Sequence, residues 1–176
     1  MQCPSCKDKP LKATKLDGGL LGAACDKCNG ALVSLLYYRD WAERTRGCLE
    51  DEGMPEVQAV DAKASLSCPK CARLMSKYKI GAGVGNALDL CPSCDEAWLD
   101  GGEWRLLRAL ELSHDVPKIF TDEWQRKVRK EASDAARRER MLKLLGEENL
   151  AKAEDVRSWL KNNPLRSEIL FCLNQE

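Results

Sequence analysis

The sequence predicts a small α+β chain: two tandem β-hairpin units, each with a short helix, followed by an α-helical C-terminal region. Three observations predict it. Four Cys-x-x-Cys pairs fall in two matched sets, Cys3 with Cys6 and Cys25 with Cys28, then Cys68 with Cys71 and Cys91 with Cys94. Turn residues lie between the two pairs of each set. Beyond Pro117 there are no further pairs and apolar residues recur at helical spacing.

A tetrahedral metal needs four soft ligands, and two CxxC knuckles brought together by a hairpin supply them. Each set therefore reads as a zinc ribbon, and the fold class is zinc-stabilised. The expected ligands are Cys3, Cys6, Cys25 and Cys28 for one ion and Cys68, Cys71, Cys91 and Cys94 for a second, two Zn2+ per chain. Four thiolates leave no open coordination position, so such a site is structural, and its binding free energy becomes folding free energy. Iron, mononuclear or in a cluster, also accepts four thiolates. The 18 or 19 residues between the knuckles suit a mononuclear site better.

The two sets are a repeat. Cys3 to Cys68 and Cys6 to Cys71 are each 65 positions apart, Cys25 to Cys91 and Cys28 to Cys94 each 66, so one residue has been inserted between the pairs. A duplicated unit is the economical explanation. The expected organisation is 1–52, ribbon and helix; 53–65, a linker around Gly53-Met54-Pro55; 66–116, ribbon and helix; and 117–176, the helical region. A unit of about 60 residues buries little apolar surface and needs a staple. The ribbons are expected to fold independently, so that Cys94→Ser unfolds the second and spares the first.

Taken in order, Lys15-Leu16-Asp17-Gly18-Gly19 carries the first hairpin turn. Ser34 caps a helix bearing Tyr38, Trp41, Ala42 and Thr45. Gly81, Gly83, Gly85 and Asn86 mark the second turn; their spacing fits neither the dinucleotide nor the P-loop pattern. Asp100 can cap the amide of Gly102 or Glu103, and Glu103 can reach back to complete a capping box. Trp104, Leu107 and Leu110 then form one apolar face. Thr121 caps a long helix to about Leu145, which Gly146 ends; Asn149 starts a second helix and Asn163-Pro164 a third. This tail is a helical bundle or a set of arms that needs a partner.

Charge is balanced, with 28 basic and 28 acidic side chains, and eight metal-bound thiolates would make the chain mildly acidic. The one concentrated basic stretch comprises Arg126, Lys127, Arg129, Lys130, Arg137, Arg138, Arg140 and Lys143. No basic stretch followed by an apolar one stands at the start of the sequence, so a secretory signal is not expected, and the longest apolar-leaning run, Gly30 to Tyr38, is far short of the roughly 20 residues that span a bilayer. A cytoplasmic, reducing setting without a membrane span is the expectation, in which cysteines hold metal rather than disulfides. Cys48 and Cys172 are left over and read as small buried hydrophobes, and His114, the one histidine, as a helix-end residue. Asp95 and Glu96 are adjacent, a poor geometry for acid and base, and no catalytic arrangement emerges. A non-enzyme is expected.

The second unit resembles the transcription-factor-IIB-type zinc ribbon family. The resemblance rests on Cys68-Pro-Lys-Cys71-Ala-Arg-Leu74 and on Cys91-Pro-Ser-Cys94 followed by Trp98-Leu99-Asp100-Gly101-Gly102-Glu103. Where the family often has two glycines, this chain has Glu96 and Ala97. The first unit matches through Cys3-Pro-Ser-Cys6 and Cys25-Asp-Lys-Cys28-Asn-Gly30 but lacks the Trp-Leu-Asp ending. The resemblance implies zinc binding, and family contacts range from polymerase and other proteins to nucleic acid. The leading functional expectation is an adaptor that presents surfaces such as Trp98 or Trp41 to a protein partner. Nucleic-acid binding through the basic stretch, and a zinc-thiol redox sensor or chaperone, are the alternatives.

Overall fold

The computed structural model describes residues 1–46, 59 and 64–175; Cys48 and most of the expected 53–65 linker lie outside the described residues. In the first half, Lys12–Lys15 (β1) and Leu21–Ala24 (β2) form an antiparallel hairpin. Its turn is closed by a bond from the Leu16 amide to the Leu20 carbonyl, with Gly18 and Gly19 at φ 80° and 83°. Beyond the second knuckle come Ala31–Ser34 (β3) and the helix Leu35–Thr45 (α1). The second half repeats this order with Ser76–Lys79 (β4), Ala87–Cys91 (β5), Glu96–Leu99 (β6) and Glu103–Ala109 (α2).

Strand register refines the repeat. Lys12 pairs with Ala24 and Ser76 with Leu90, so equivalent positions lie 64 apart in the first strand and 66 apart in the second. The single insertion read from the cysteines is thus a net figure. One residue is lost after the opening knuckle and two are gained in the β4–β5 turn.

The halves, expected to fold independently, share one sheet. β3 pairs antiparallel with β6, giving among the described residues a six-stranded sheet of order β1-β2-β3-β6-β5-β4. The junction is symmetric: Ala31 pairs with Leu99, Leu32 with Trp98 and Val33 with Ala97. Exchanging the halves at the 66-residue spacing turns the first of these pairs into the third and leaves Leu32–Trp98 in place. Because side chains alternate along a strand, Leu32 and Trp98 join the cysteines on one face, while Val33, Ala97 and Leu99 join Tyr38, Trp41, Trp104 and Leu107 on the other.

The helical face holds its own polar groups. The Trp41 and Trp104 rings meet edge to face at 5.2 Å, and their indole N–H groups donate to the carbonyls of Gly18 (2.7 Å) and Asp17 (2.6 Å). Two helices from different halves thereby satisfy one hairpin turn. Tyr38 Oη donates to the Ser113 carbonyl (2.8 Å) and accepts the Val116 amide (3.2 Å). His114 stacks on Trp41 at 4.9 Å, with Nε2 3.1 Å from Thr45 Oγ1. Trp98 and Trp41, expected to be presented to a partner, are instead 0% and 3% exposed. Both spend their aromatic area inside the fold.

Helix starts depart in detail from the expectation. Ser34 precedes α1 without a side-chain cap bond, and the Leu35 amide donates to the carbonyl of Asp95, in the other half, at 2.9 Å. Gly102, at φ 90°, and not Asp100, is the cap residue of α2, although Glu103 Oε2 does reach back to the Asp100 amide (2.8 Å).

After Val116–Ile119 (α3), the helix Asp122–Lys161 (α4) opens with Thr121 Oγ1 accepting the Trp124 amide at 3.2 Å. Trp124 Nε1 donates to the Ile80 carbonyl (3.1 Å), while the Gln125 amide accepts from Lys79 N (3.1 Å) and donates to Lys79 O (2.9 Å). Gln125 thus acts as a one-residue strand on the outer edge of β4. Met1–Lys130 forms one compact unit and Glu131–Glu176 another.

In the second unit α4 breaks at Gly146 (φ 73°, ψ 169°). Arg138 and Glu154, which would stand about 24 Å apart on a straight helix, are ion-paired at 3.1 Å, so the arms fold back on each other. Arg166–Leu173 (α5) follows, with Asn163 Oδ1 accepting the Leu165 amide at 2.9 Å. Leu150 and Leu160 are buried here, but Trp159 and Phe171 are 58% and 67% exposed. Among the described residues no helix is long and apolar enough to cross a membrane.

Candidate metal centres

All eight predicted ligand cysteines converge, in the two sets expected. Among the described residues, Cys3, Cys6, Cys25 and Cys28 form one group and Cys68, Cys71, Cys91 and Cys94 another, with all sulfurs of a group within 4.8 Å of one another. Cys3 and Cys28 Sγ are 3.6 Å apart, as are Cys71 and Cys91. A tetrahedral ion with metal–sulfur bonds of about 2.3 Å has sulfur–sulfur edges of about 3.8 Å. The donor sets therefore fit a four-thiolate ion, two per chain.

One backbone device builds every knuckle. The residue after the second cysteine takes a left-handed conformation, Lys7 (φ 60°), Asn29 (57°), Ala72 (62°) and Asp95 (53°). Its amide donates to the carbonyl of the first cysteine, at 2.8, 2.9, 2.8 and 3.1 Å respectively. The turn aims both sulfurs at one point and leaves amides free for sulfur, as in Cys6 N to Cys3 Sγ at 3.3 Å. Sequence reading missed this fourfold position. Asn29 and Asp95, residue types that tolerate φ > 0, were its visible signal, and Lys7 and Ala72 concealed it.

Equivalent side chains tie the two knuckles of each half together. Lys27 lies 3.6 Å from Asp8, and Arg73 donates to Ser93 at 2.6 Å. Lys70, inside the Cys68–Cys71 knuckle, pairs with the nearly buried Glu96 at 2.9 Å.

Between the centres lies Trp98. It shares a buried cluster with Cys3, Cys25, Cys68, Cys91 and Leu32, and its Nε1 donates to Asp100 Oδ1 (2.9 Å), which also receives Ser5 Oγ of the other half (3.4 Å). Its ring runs over Gly30, where a Cβ would stand 2.4 Å from Cζ2. A Cβ on Gly101 would stand 2.4 Å from the Cys28 carbonyl. These glycines are close-approach positions, one under the indole and one against the first metal knuckle.

Proton affinities within each group are split. Burial pushes the Cys28 thiol up, as it does Cys3 and Cys68. The Cys71 sulfur, with burial, pushes Cys94 up to about 12. Against the upward push of burial, the amides of Cys28 and Lys27 hold Cys25 down to about 7; the Arg73 amide and the Cys94 thiol hold Cys71 down to about 7. Each centre thus contains one thiol ready to ionise and neighbours that a cation must strip of protons.

Of the expected phosphate-contacting side chains, Arg138 and Lys143 are ion-paired to Glu154 and Glu139, and Lys127 lies over the Trp124 ring at 5.9 Å. Cys172 is exposed rather than buried. Comparison of the chain with protein-family models, with curated proteins and with solved structures returned no match.

Proposed function

We propose that the protein is a non-enzymatic zinc-binding adaptor, with both cysteine groups holding Zn2+ in paired ribbons of the transcription-factor-IIB type and the C-terminal helices engaging a protein partner. The carrying observation is the contrast between the two units. Each cysteine group supplies four sulfurs, which would leave an ion no open position, and Trp98, Trp41, Trp104 and Tyr38 nearby are buried inside the fold, which suits a structural role. The C-terminal unit leaves Leu144, Trp159, Leu165, Phe171 and Leu173 more than half exposed within Glu131–Glu176, against Met1, Leu36, Tyr37 and Leu74 in the much longer Met1–Lys130, a denser apolar surface of the kind that expects cover.

Metal analysis of the purified chain tests the zinc half of this reading: two zinc per chain is expected, and one or none refutes it. Affinity capture by the full chain, compared with the Trp159→Asp/Phe171→Asp double variant, tests the adaptor half. Loss of a specific stoichiometric partner in the variant supports it; unchanged capture refutes it. The second reading, nucleic-acid binding, draws on Arg129, Lys130, Arg137 and Arg140, which carry no ion pair among the described residues. It requires an affinity for mixed DNA or RNA that falls steeply with salt.

A further inference from the structure

We infer that the groove between the post-Gly146 arm of α4 and α5 is a docking site for an acidic amphipathic helix of a partner protein. This rests on the adaptor reading and names the chemistry of the partner.

The groove encloses about 630 Å³. Its apolar floor comes from Ala153, Val156 and Leu160 on one wall and Leu170 on the other. Ala153, Val156 and Leu160 follow the spacing of three and four that places side chains on one helix face. The wall from Lys152 to Lys161 is about 14 Å long at 1.5 Å per residue, room for two to three turns of a second helix. Val156 and Leu170 are 46% and 38% exposed, so the floor is open at its centre.

Charge selects the occupant. The remaining lining residues are Lys152, Arg157, Lys161 and Arg166, four cations and no carboxylate. Lys152 is engaged by Glu148 at 2.7 Å. Arg157, Lys161 and Arg166 have no carboxylate within ion-pair distance among the described residues. An apolar floor under an unmatched cationic rim is complementary to a helix with leucine-type residues on one side and Asp or Glu flanking them. A basic helix would leave like charges facing each other, and a nucleic acid would leave the floor unfilled.

The test uses the full-length, zinc-loaded chain and a fluorescein-labelled helical peptide of Leu, Ala and Glu, its leucines repeating every three or four residues. A second peptide has every Glu replaced by Lys. The Glu peptide is expected to bind with an affinity that weakens as salt is raised, and the Lys peptide to bind at least about tenfold more weakly. The Arg157→Glu/Lys161→Glu/Arg166→Glu variant, its helicity checked by circular dichroism, should reverse that preference. Val156→Asp should abolish binding of both peptides. Equal binding of the two peptides, no binding of the Glu peptide, or indifference to the charge reversal each overturns the inference. So does a groove closed by self-association, seen as a dimer that Val156→Asp dissociates, or salt-dependent binding of a mixed-sequence oligonucleotide lost in the charge reversal. Failure here with partner capture by Trp159 and Phe171 intact removes the groove and leaves the adaptor reading standing.

Discussion

Leu32 and Trp98 face each other across the β3–β6 junction at the one register position that exchange of the two halves leaves unchanged. Equivalent positions of the two halves thus stand side by side across a pseudo-twofold axis, where their side chains share one buried space. The indole reaches over the axis onto Gly30, and Leu32 fills what is left. The first half has Leu32-Val33-Ser34 where the second has Trp98-Leu99-Asp100, and a second tryptophan at position 32 would contend for the volume Trp98 already fills.

A shared sheet should couple the two cysteine groups. Structural zinc supplies about 10–16 kcal/mol in small zinc peptides, as much as the whole stability of an ordinary domain. Removing a ligand by Cys94→Ser should release β6 from β3 and strip Val33, Tyr38 and Trp41 of cover. We expect heteronuclear NMR to show amide signals of both halves collapsing together; persistence of dispersed signals from Lys12–Lys15 and Leu35–Thr45 would mean that the halves fold separately after all.

The axis packing has its own signature. Gly30→Ala drives a methyl into the Trp98 ring and should cost about 1–3 kcal/mol, measured by denaturant unfolding with zinc in excess. Trp98→Ala should cost about 3–5 kcal/mol through the cavity left behind. The double variant should cost less than the sum of the two, because the clash disappears with the ring.

Ala72 should be improvable. At φ 62° it pays about 1–2 kcal/mol for a left-handed backbone, while glycine there loses about 0.5–1 kcal/mol to unfolded-chain entropy. Ala72→Gly is therefore expected to stabilise the zinc-loaded protein by about 0.5–1 kcal/mol in the same unfolding measurement. The same change at Asn29 should do less, because asparagine already tolerates that conformation.

Metal retention should depend on pH with a definite sign. Cys28 and Cys94, both pushed up, hold protons at neutral pH that the ion must displace, while Cys25 and Cys71, held near 7, are partly protonated at neutrality and become more so on acidification. Binding therefore releases protons, and affinity rises with pH and falls on acidification. Competition with a chromophoric chelator across mildly acidic to mildly basic buffer should show it; a flat profile would contradict four-thiolate ligation.

Gln125 is the clasp between α4 and the sheet. Gln125→Ala leaves the Lys79 amide and carbonyl without that partner and should cost about 1–3 kcal/mol. Hydrogen exchange should speed up at the start of α4 and along β4 before it does so in β3 or β6.

Ligands, turns and the start and break of the long helix were legible because each is written within a few residues of itself, whereas the caps expected at Ser34 and Asp100 were not the ones formed. CxxC spacing forces a knuckle, Gly18-Gly19 a turn, Thr121 a helix start and Gly146 a break. What joins distant segments was not. The strands Ala31–Ser34 and Glu96–Leu99 are buried along almost their whole length, so neither displays the alternation that would reveal a partner on each edge. Their pairing spans more than 60 positions of chain, and it alone decided that two repeats make one sheet, that Trp98 is core rather than contact surface, and that both metal centres share a face. Local spacing specified the ligands because a metal site of this kind is assembled from short-range turns; the union of the halves required burying two apolar strands against each other, a fact about area removed from water that no local pattern records.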